Sequence, residues 1–409
     1  MTQTSGREEL SRHLSGGSRT LYCGFDPTAD SLHVGSLVPL LALRRFQLYG
    51  HRPIALVGGA TGLIGDPSFK TSERGLNEPG VVAEWVARLR AQVARFVDTD
   101  GNNGAIVVDN LEWTRELDLI TFLRDIGKHF SVNAMIQKDA VRARLTREGS
   151  GISFTELSYV ILQSLDYVEL ARRYECSLQV GGSDQWGNIT SGMDLVRRML
   201  SREAHALTFP LVTRGDGSKF GKSESGTVWL DAKKTSAYAF HQFWLNTSDQ
   251  EVVAFLNWFT FLDLEEIAAL QDEVAQSPER RRAQARLARE VTRLVHGEAA
   301  LTSAERITAA LFSGGVLELS VEEIEQLELD GMGCTPIPVT ARPLVEVLEA
   351  SGLAQSRSAA RKLIESKGVS VNGRVIHDVG YALERASALH GRFHLIRRGK
   401  KAWHLAAHR

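Results

Sequence analysis

Cysteine, methionine and proline are scarce in this chain, at 3, 5 and 10 of 409 residues. The cysteines, Cys23, Cys176 and Cys334, stand far apart and form no CxxC pair or Cys/His cluster, which excludes a zinc ribbon and a disulfide framework. Long apolar runs are missing too: none approaches the ~20 residues that cross a bilayer, and the polar start of the chain holds no apolar signal core. A soluble, cytoplasmic protein is expected. No carboxylate cluster reads as a metal cage, so no resident metal is expected either. Net charge is nearly absent, at −1. That balance conceals an asymmetry. Residues 342–409 carry 13 Lys and Arg against 5 Asp and Glu, and the rest of the chain 35 against 44. A basic module on an acidic body is the electrostatic footprint of a nucleic-acid-binding appendage.

What remains is an ordinary globular composition, in a chain long enough for two or three domains. Apolar runs at 21–25, 54–58, 105–108 and 178–180 read as strands separated by helical stretches. This alternation predicts an α/β fold with a Rossmann-like, doubly wound, mostly parallel sheet, whose ligands bind at the carboxyl ends of the strands. At the first such end, the turn Asp26-Pro27-Thr28 leads to His33-Val34-Gly35-Ser36 and a helical pattern over 32–49. A strand, a turn and a helix N-terminus present N–H groups and a positive dipole end to a phosphate. A second segment, Lys219-Phe220-Gly221-Lys222-Ser223, sits among Gly215, Gly217 and Gly226 and forms a cationic loop able to close over a polyphosphate. A His at a helix start is commonly a cap, and a Lys-rich Gly loop is commonly a solvated turn. Together, around a βαβ-like body, they point to chemistry on a nucleoside triphosphate. A Walker motif does not account for them, because Asp216 occupies the position of its first glycine. Residues 59–65 likewise miss the dinucleotide fingerprint. Tyr159, Gln163 and Asp166 fall at i, i+4 and i+7, on one face of a helix whose other positions are apolar. That face suits an amphoteric pocket better than a core.

The stretch from Tyr22 to Ser36 resembles the HIGH signature of class I aminoacyl-tRNA synthetases, and residues 219–223 resemble their KMSKS loop. Residues 61–67 (Thr61-Gly62-Leu63-Ile64-Gly65-Asp66-Pro67), 159–166 and 181–188 (Gly181-Gly182-Ser183-Asp184-Gln185-Trp186-Gly187-Asn188) narrow the resemblance to the bacterial tyrosyl branch. It covers nearly the whole chain. Ser36 replaces the second His of HIGH, and Phe220-Gly221 replaces Met-Ser of KMSKS; both departures are common in that branch. The resemblance implies activation of L-tyrosine by ATP with Mg²⁺, then transfer to tRNA(Tyr), by a homodimer. It implies that Tyr22 and Asp166 hold the phenol, while Asp66, Tyr159 and Gln163 hold the ammonium and Gln185 lies near the aminoacyl carbonyl. It assigns Asp26, His33, Gly24, Gly35, Gly182, Asp184 and Lys222 to ATP, with Asp184 on the ribose. Thr28, His33 and Ser36 then act on phosphate from the helix side. Lys219, Lys222 and Ser223 act from the loop, and Lys70 and Arg74 form a second pyrophosphate clamp.

The expected organisation is a helical arm over 1–19, then a catalytic domain over 20–228. A mixed helical insertion at about 115–160 within it faces a partner subunit. A helical domain over 229–330, anticodon-binding by resemblance, and a turn-rich linker over 331–341 follow. Residues 342–409 form a small α+β module resembling an RNA-binding domain named after a small-subunit ribosomal protein. Its Arg357, Arg361 and Lys362 share a helix suited to phosphate contacts. The charge division further predicts that 340–409 can be deleted without loss of adenylate formation. In the helical domain, Ser277 and Pro278 read as the start of a helix carrying Arg280, Arg281, Arg282, Arg286, Arg289 and Arg293. That stripe reads equally as a solvated face or an RNA surface. Competing classes are a nucleotidylyltransferase, which has no need of the basic tail, a tryptophanyl relative, and a non-catalytic RNA-binding paralogue. The presence of His33, Lys219 and Lys222 argues against the last.

Overall fold

Apolar runs buried on both faces build the sheet of the first unit. In the computed structural model its strands are β1 (Gln3–Thr4), β2 (Thr20–Phe25), β3 (Arg52–Val57), β4 (Ile106–Asp109), β5 (Cys176–Gly182) and β6 (His205–Phe209). They lie in the order β1-β6-β5-β2-β3-β4. All are parallel except β1, which pairs antiparallel to β6. Helix α1 (Arg7–Ser15) precedes β2, and α2 (Leu37–Leu48), α3 (Pro79–Val93), α4 (Phe154–Tyr174) and α5 (Trp186–Leu200) join the parallel strands in turn. Leu21, Tyr22, Ile54, Val57 and Leu178 are buried. Burial of both faces makes such strands continuous apolar runs rather than alternating ones. The chain winds from β2 through β3 to β4, then returns to β5 on the other side of β2. The order reverses between β2 and β5, and a crevice opens beyond their carboxyl ends.

The structure describes residues 3–66, 77–138, 141–142, 145, 152–213, 220–223, 226–338, 340–399 and 402–409. Two compact units divide the chain, Met1–Phe220 and Gly221–Arg409. Sequence patterning missed β1 and β6. The first is two residues long, and the second carries polar His205 and Thr208 among its apolar positions.

The second unit begins with α6 (Ala237–Leu245), α7 (Asp249–Phe259), α8 (Leu264–Gln276), α9 (Arg282–His296), α10 (Glu298–Ser313) and α11 (Val321–Leu329). The acidic start of α11 is a capping box: Ser320 Oγ accepts from Glu323 N, and the Glu323 carboxylate accepts from Ser320 N. Helix α9 does not begin at Ser277. Pro278–Arg280 is a 3₁₀ turn, and Arg281 takes a left-handed φ of 49° that interrupts the helix. Its guanidinium donates to the carbonyls of Leu245 and Thr247. Most of the arginine stripe is neutralised: Arg282, Arg286, Arg289 and Arg293 pair with Glu273, Glu266, Glu305 and Glu298. The solvated-face reading therefore accounts for it.

Beyond α11 lie β7 (Cys334–Ile337), α12 (Leu344–Ala350), α13 (Arg357–Glu365), β8 (Val369–Val371), β9 (Arg374–Val375), β10 (Phe393–Arg398) and β11 (Ala402–His408). They form a sheet in the order β9-β8-β10-β11-β7. The β8–β9 turn has Asn372 and Gly373 at φ 49° and 79°, as its Asn-Gly sequence requires. Two expectations need correction. Residues 331–341 are no free linker, because β7 pairs in parallel with β11 from Cys334↔Leu405 to Ile337↔His408. Residues 340–409 are not separable either. Ile307, Leu311, Val316 and Leu327 share one apolar core with Phe393, Leu395 and Leu405, so a cut at 340 would bare the helical layer. Among the described residues no helix is long and apolar enough to cross a membrane.

Buried histidines give the fold a pH dependence. His241 is buried, and among the described residues neither of its ring nitrogens has a hydrogen-bond partner. Burial, and next Arg289, push its pKa down to about 4; burial and His408 do the same to His394. The unfolded chain takes up these protons below pH ~6.5, while the folded chain does not until pH ~4. Stability is complete above that window and lost on descending through it, at up to about 1.4 kcal/mol per pH unit for each ring. The urea midpoint of this unit should therefore fall between pH 7 and 5, and less so in His241→Leu. Equal midpoints in the wild type would contradict this account.

Candidate active site

A cavity of about 580 Å³ occupies the crevice between the ends of β2 and β5. Of the expected residues, Tyr22, Gly24, Asp26, Thr28, His33, Gly35, Ser36, Asp66, Tyr159, Gln163, Asp166, Gly182, Asp184 and Gln185 all line it. Lys70, Arg74 and Lys219 lie outside the described residues. The backbone of Lys222 and Ser223 pairs with Gly226 and Thr227, and their side chains lie outside the described residues.

One wall is the helix start after β2. His33 caps it: its Nδ1 accepts from Gly35 N at 3.0 Å, so the proton of the neutral ring sits on Nε2. The ring is open to the cleft, yet the surrounding protein desolvates it enough to lower its pKa. A neutral N–H donor results at pH 7. Gly35 leaves room for the capping ring: a Cβ there would lie 2.8 Å from His33 Cε1, so any larger residue would push the ring aside. Gly182 is crowded by its own neighbour, with a Cβ site 2.3 Å from Asp184 Oδ1. Gly24 meets nothing nearer than Leu56 Cδ2 at 3.9 Å, so its open face belongs to the cleft.

Helix α4 forms the opposite wall. It is fixed by its Ser153 cap and ends at left-handed Glu175. Asp166 is buried, with Oδ1 accepting from Trp113 Nε1 at 2.9 Å and Oδ2 from Asn110 Nδ2 at 3.0 Å. Burial pushes its pKa up to about 8 against the pull of those two donors. Tyr22 is buried beside it, packed edge-on against Tyr167 with ring centroids 5.2 Å apart. Burial and then Asp166 raise the Tyr22 pKa, so its hydroxyl keeps its proton. That hydroxyl has no hydrogen-bond partner among the described residues, nor do Gln163 Oε1 and Gln179 Oε1. Unpaired buried polar atoms are costly, and here they gather round one cavity.

At the mouth, Gln185 Nε2 donates to Asp66 Oδ2 at 2.9 Å and Asp184 Oδ2 at 3.1 Å. Desolvation raises the pKa of Asp184. Asp26 is held between the Tyr159 hydroxyl at 2.6 Å and the Thr61 hydroxyl at 2.7 Å. Asp26, Asp66, Asp166 and Asp184 thus line the cavity, with no Lys or Arg among its described lining residues. Such a field favours an ammonium group.

A family model described as "tRNA synthetases class I (W and Y)" matches residues 15–313, and one described as "Tyrosine--tRNA ligase SYY-like C-terminal domain" matches 323–406. Tyrosine–tRNA ligases of Aliivibrio fischeri (strain MJ11) and Aliivibrio salmonicida (strain LFI1238) are each 57% identical to the chain over 406 residues, covering 99% of it and 95% of their own length. The chain belongs to the tyrosine–tRNA ligases. A C-terminally truncated mitochondrial tyrosyl-tRNA synthetase of Aspergillus nidulans superposes with a TM-score of 0.68 at 30% identity, over 76% of this chain and 90% of that one. The Rossmann-like sheet is thus the class I ligase fold.

Several residues of this ligase cleft received no role in the sequence reading. Thr61, Gln179 and Cys23 line it, while Asn110 and Trp113 hold Asp166 from behind. Asn110 directly follows β4, and the rule that ligands gather at strand carboxyl ends could have singled it out. Gln179 is an amide inside an apolar strand, which is itself a signal. Burial pushes the Cys23 thiol up to about 12, so it stays neutral.

Proposed function

We infer that this ligase activates L-tyrosine with ATP and transfers it to tRNA(Tyr). The observation that carries the reading is the pair Tyr22 and Asp166. A phenol oxygen accepts from the Tyr22 hydroxyl while its hydrogen goes to Asp166. An indole N–H only donates and a phenyl ring does neither, so tryptophan and phenylalanine leave a buried polar group unpaired. The tyrosine ammonium then lies among Asp66, Tyr159 and Gln163. Its carboxylate attacks the α-phosphorus of ATP, the new O–P bond forms as pyrophosphate leaves, and a hydroxyl of the terminal adenosine of tRNA later displaces AMP. Charge stabilisation dominates such a step. Thr28, the His33 Nε2–H and Ser36 serve the phosphates from the helix side. By the resemblance, the lysines of the 219–223 loop, with Lys70 and Arg74, bring cations to the phosphates and Ser223 brings a neutral hydroxyl donor, where the described lining of the cleft holds Asp but no Lys or Arg. Mg²⁺ enters as part of the nucleotide substrate, and we assign the enzyme to the cytoplasm, where tRNA is charged.

The insertion leaves Leu119, Ile120, Leu123, Val132 and Phe154 exposed. A second copy of the chain covers them in a homodimer. For the tRNA, Arg361 and Lys362 carry the phosphate contacts more than Arg357, which is paired with Glu346 at 3.3 Å and Glu349 at 3.1 Å. Charging of tRNA with labelled tyrosine tests the reading, and Arg361→Glu with Lys362→Glu tests the surface. The double variant should keep adenylate formation, charge tRNA roughly tenfold or more slowly at low salt, and show a shallower salt dependence. Unchanged charging would remove this helix from the tRNA interface.

A further inference from the structure

The polar groups behind the cleft form a chain whose hydrogen bonds have only one direction. A main-chain N–H only donates, so Asn110 must turn Oδ1 to the Ala60 N–H, 2.7 Å away. Its amide nitrogen then gives one hydrogen to Asp166 Oδ2 at 3.0 Å and the other to Thr61 Oγ1 at 3.1 Å. Because Thr61 accepts there, its own hydroxyl hydrogen goes to Asp26 Oδ1 at 2.7 Å. Asp26 Oδ2 in turn accepts from Tyr159 at 2.6 Å. Thr61 and Asn110 are 2% and 0% exposed, so water does not compete for these bonds. The backbone closes tightly on the link: a Cβ at Gly58 would lie 2.1 Å from Asp26 Oδ1 and 2.2 Å from Thr61 Oγ1.

We propose that the Thr61 hydroxyl is a positioning group that transmits recognition of the substrate phenol, made at Asp166, to Asp26 and Tyr159 at the reacting end of the amino acid. The phenol site and the ammonium site also share helix α4, which carries Tyr159, Gln163 and Asp166, but a helix backbone is rigid and does not respond to which ring sits on Asp166. With the link intact, a phenol seated on Asp166 steadies Asn110, Thr61 and Asp26 together, and the carboxylate is aligned for attack. Without it, phenylalanine and tyrosine are aligned equally poorly, and part of the selectivity is lost at the chemical step. The proposal rests on the assignment of this cleft to tyrosine activation.

The test compares kcat/KM for adenylate formation with tyrosine and with phenylalanine in wild type, Thr61→Val, Thr61→Ala and Thr61→Ser. Val and Ala both remove the hydroxyl but fill the space differently. The tyrosine-to-phenylalanine ratio should fall about tenfold in both, chiefly through kcat for tyrosine, and Ser should hold it within about threefold of wild type. Equal losses for both amino acids, leaving the ratio unchanged, would reduce Thr61 to a packing role and overturn the proposal. A wild-type enzyme inactive with tyrosine would instead overturn the functional reading, and the relay with it.

Discussion

Asp166→Asn should abolish most tyrosine activation, although the substitution keeps size and shape. Both carboxyl oxygens accept a protein donor, from Trp113 and Asn110. An amide has one oxygen, so its NH₂ must face one of those donors whichever way it turns. This holds whether Asp166 is ionised or protonated, since an acid O–H oxygen still accepts. One protein donor is left buried and facing another donor, and the phenol hydrogen finds at best a neutral amide oxygen in place of a carboxylate. At about 1–3 kcal/mol for each, the cost is about 4 kcal/mol, or roughly a thousandfold in kcat/KM for tyrosine. Activation kinetics within about tenfold of wild type would show that Asp166 does not hold the phenol.

His33→Ala should lower the activation rate roughly 10²- to 10³-fold, the usual cost of removing one preorganised donor to a developing charge. The KM for ATP should change by less than about tenfold, because the loss is confined to the transition state. Gly35→Ala should reproduce the defect with His33 still present. Its methyl group would lie 2.8 Å from His33 Cε1 and 3.0 Å from Nδ1. The ring must swing away, losing both its tautomer-fixing bond and its aim. A defect wholly in ATP affinity, with a normal rate at saturation, would make His33 a ground-state clamp. Normal kinetics in Gly35→Ala would show that the cap does not orient the ring.

The groups that touch ligand were more legible in the sequence than those that hold them. Tyr159, Gln163 and Asp166 could be placed on one helix face by spacing alone, and His33 and Gly35 by the strand-turn-helix pattern. Asn110, Trp113 and Thr61 lie in a turn and in short helices after β3 and β4, and their partners lie 49 to 56 positions away. No local periodicity reports such a contact. The same distance effect hid the second unit's joint. Cys334–Ile337 reads as turn-rich linker because Pro336 and its neighbours break the strand pattern; it is in fact the edge strand of its sheet, where a proline is tolerated, and its pairing with Ala402–His408 lies about 70 positions away. Charge in the arginine stripe was visible, but the glutamates that neutralise it sit on neighbouring helices.

The role proposed for the Tyr22–Asp166 pair is to select a phenol for activation by ATP. ATP–pyrophosphate exchange measured with each of the twenty amino acids tests it most directly. Exchange should depend on tyrosine, with phenylalanine lower by ~10⁵, which is the discrimination already established for tyrosyl-tRNA synthetases and not a value calculated from this cleft. Tyr22→Phe should narrow that gap. Exchange supported equally by tryptophan, or a gap unchanged in Tyr22→Phe, would contradict it.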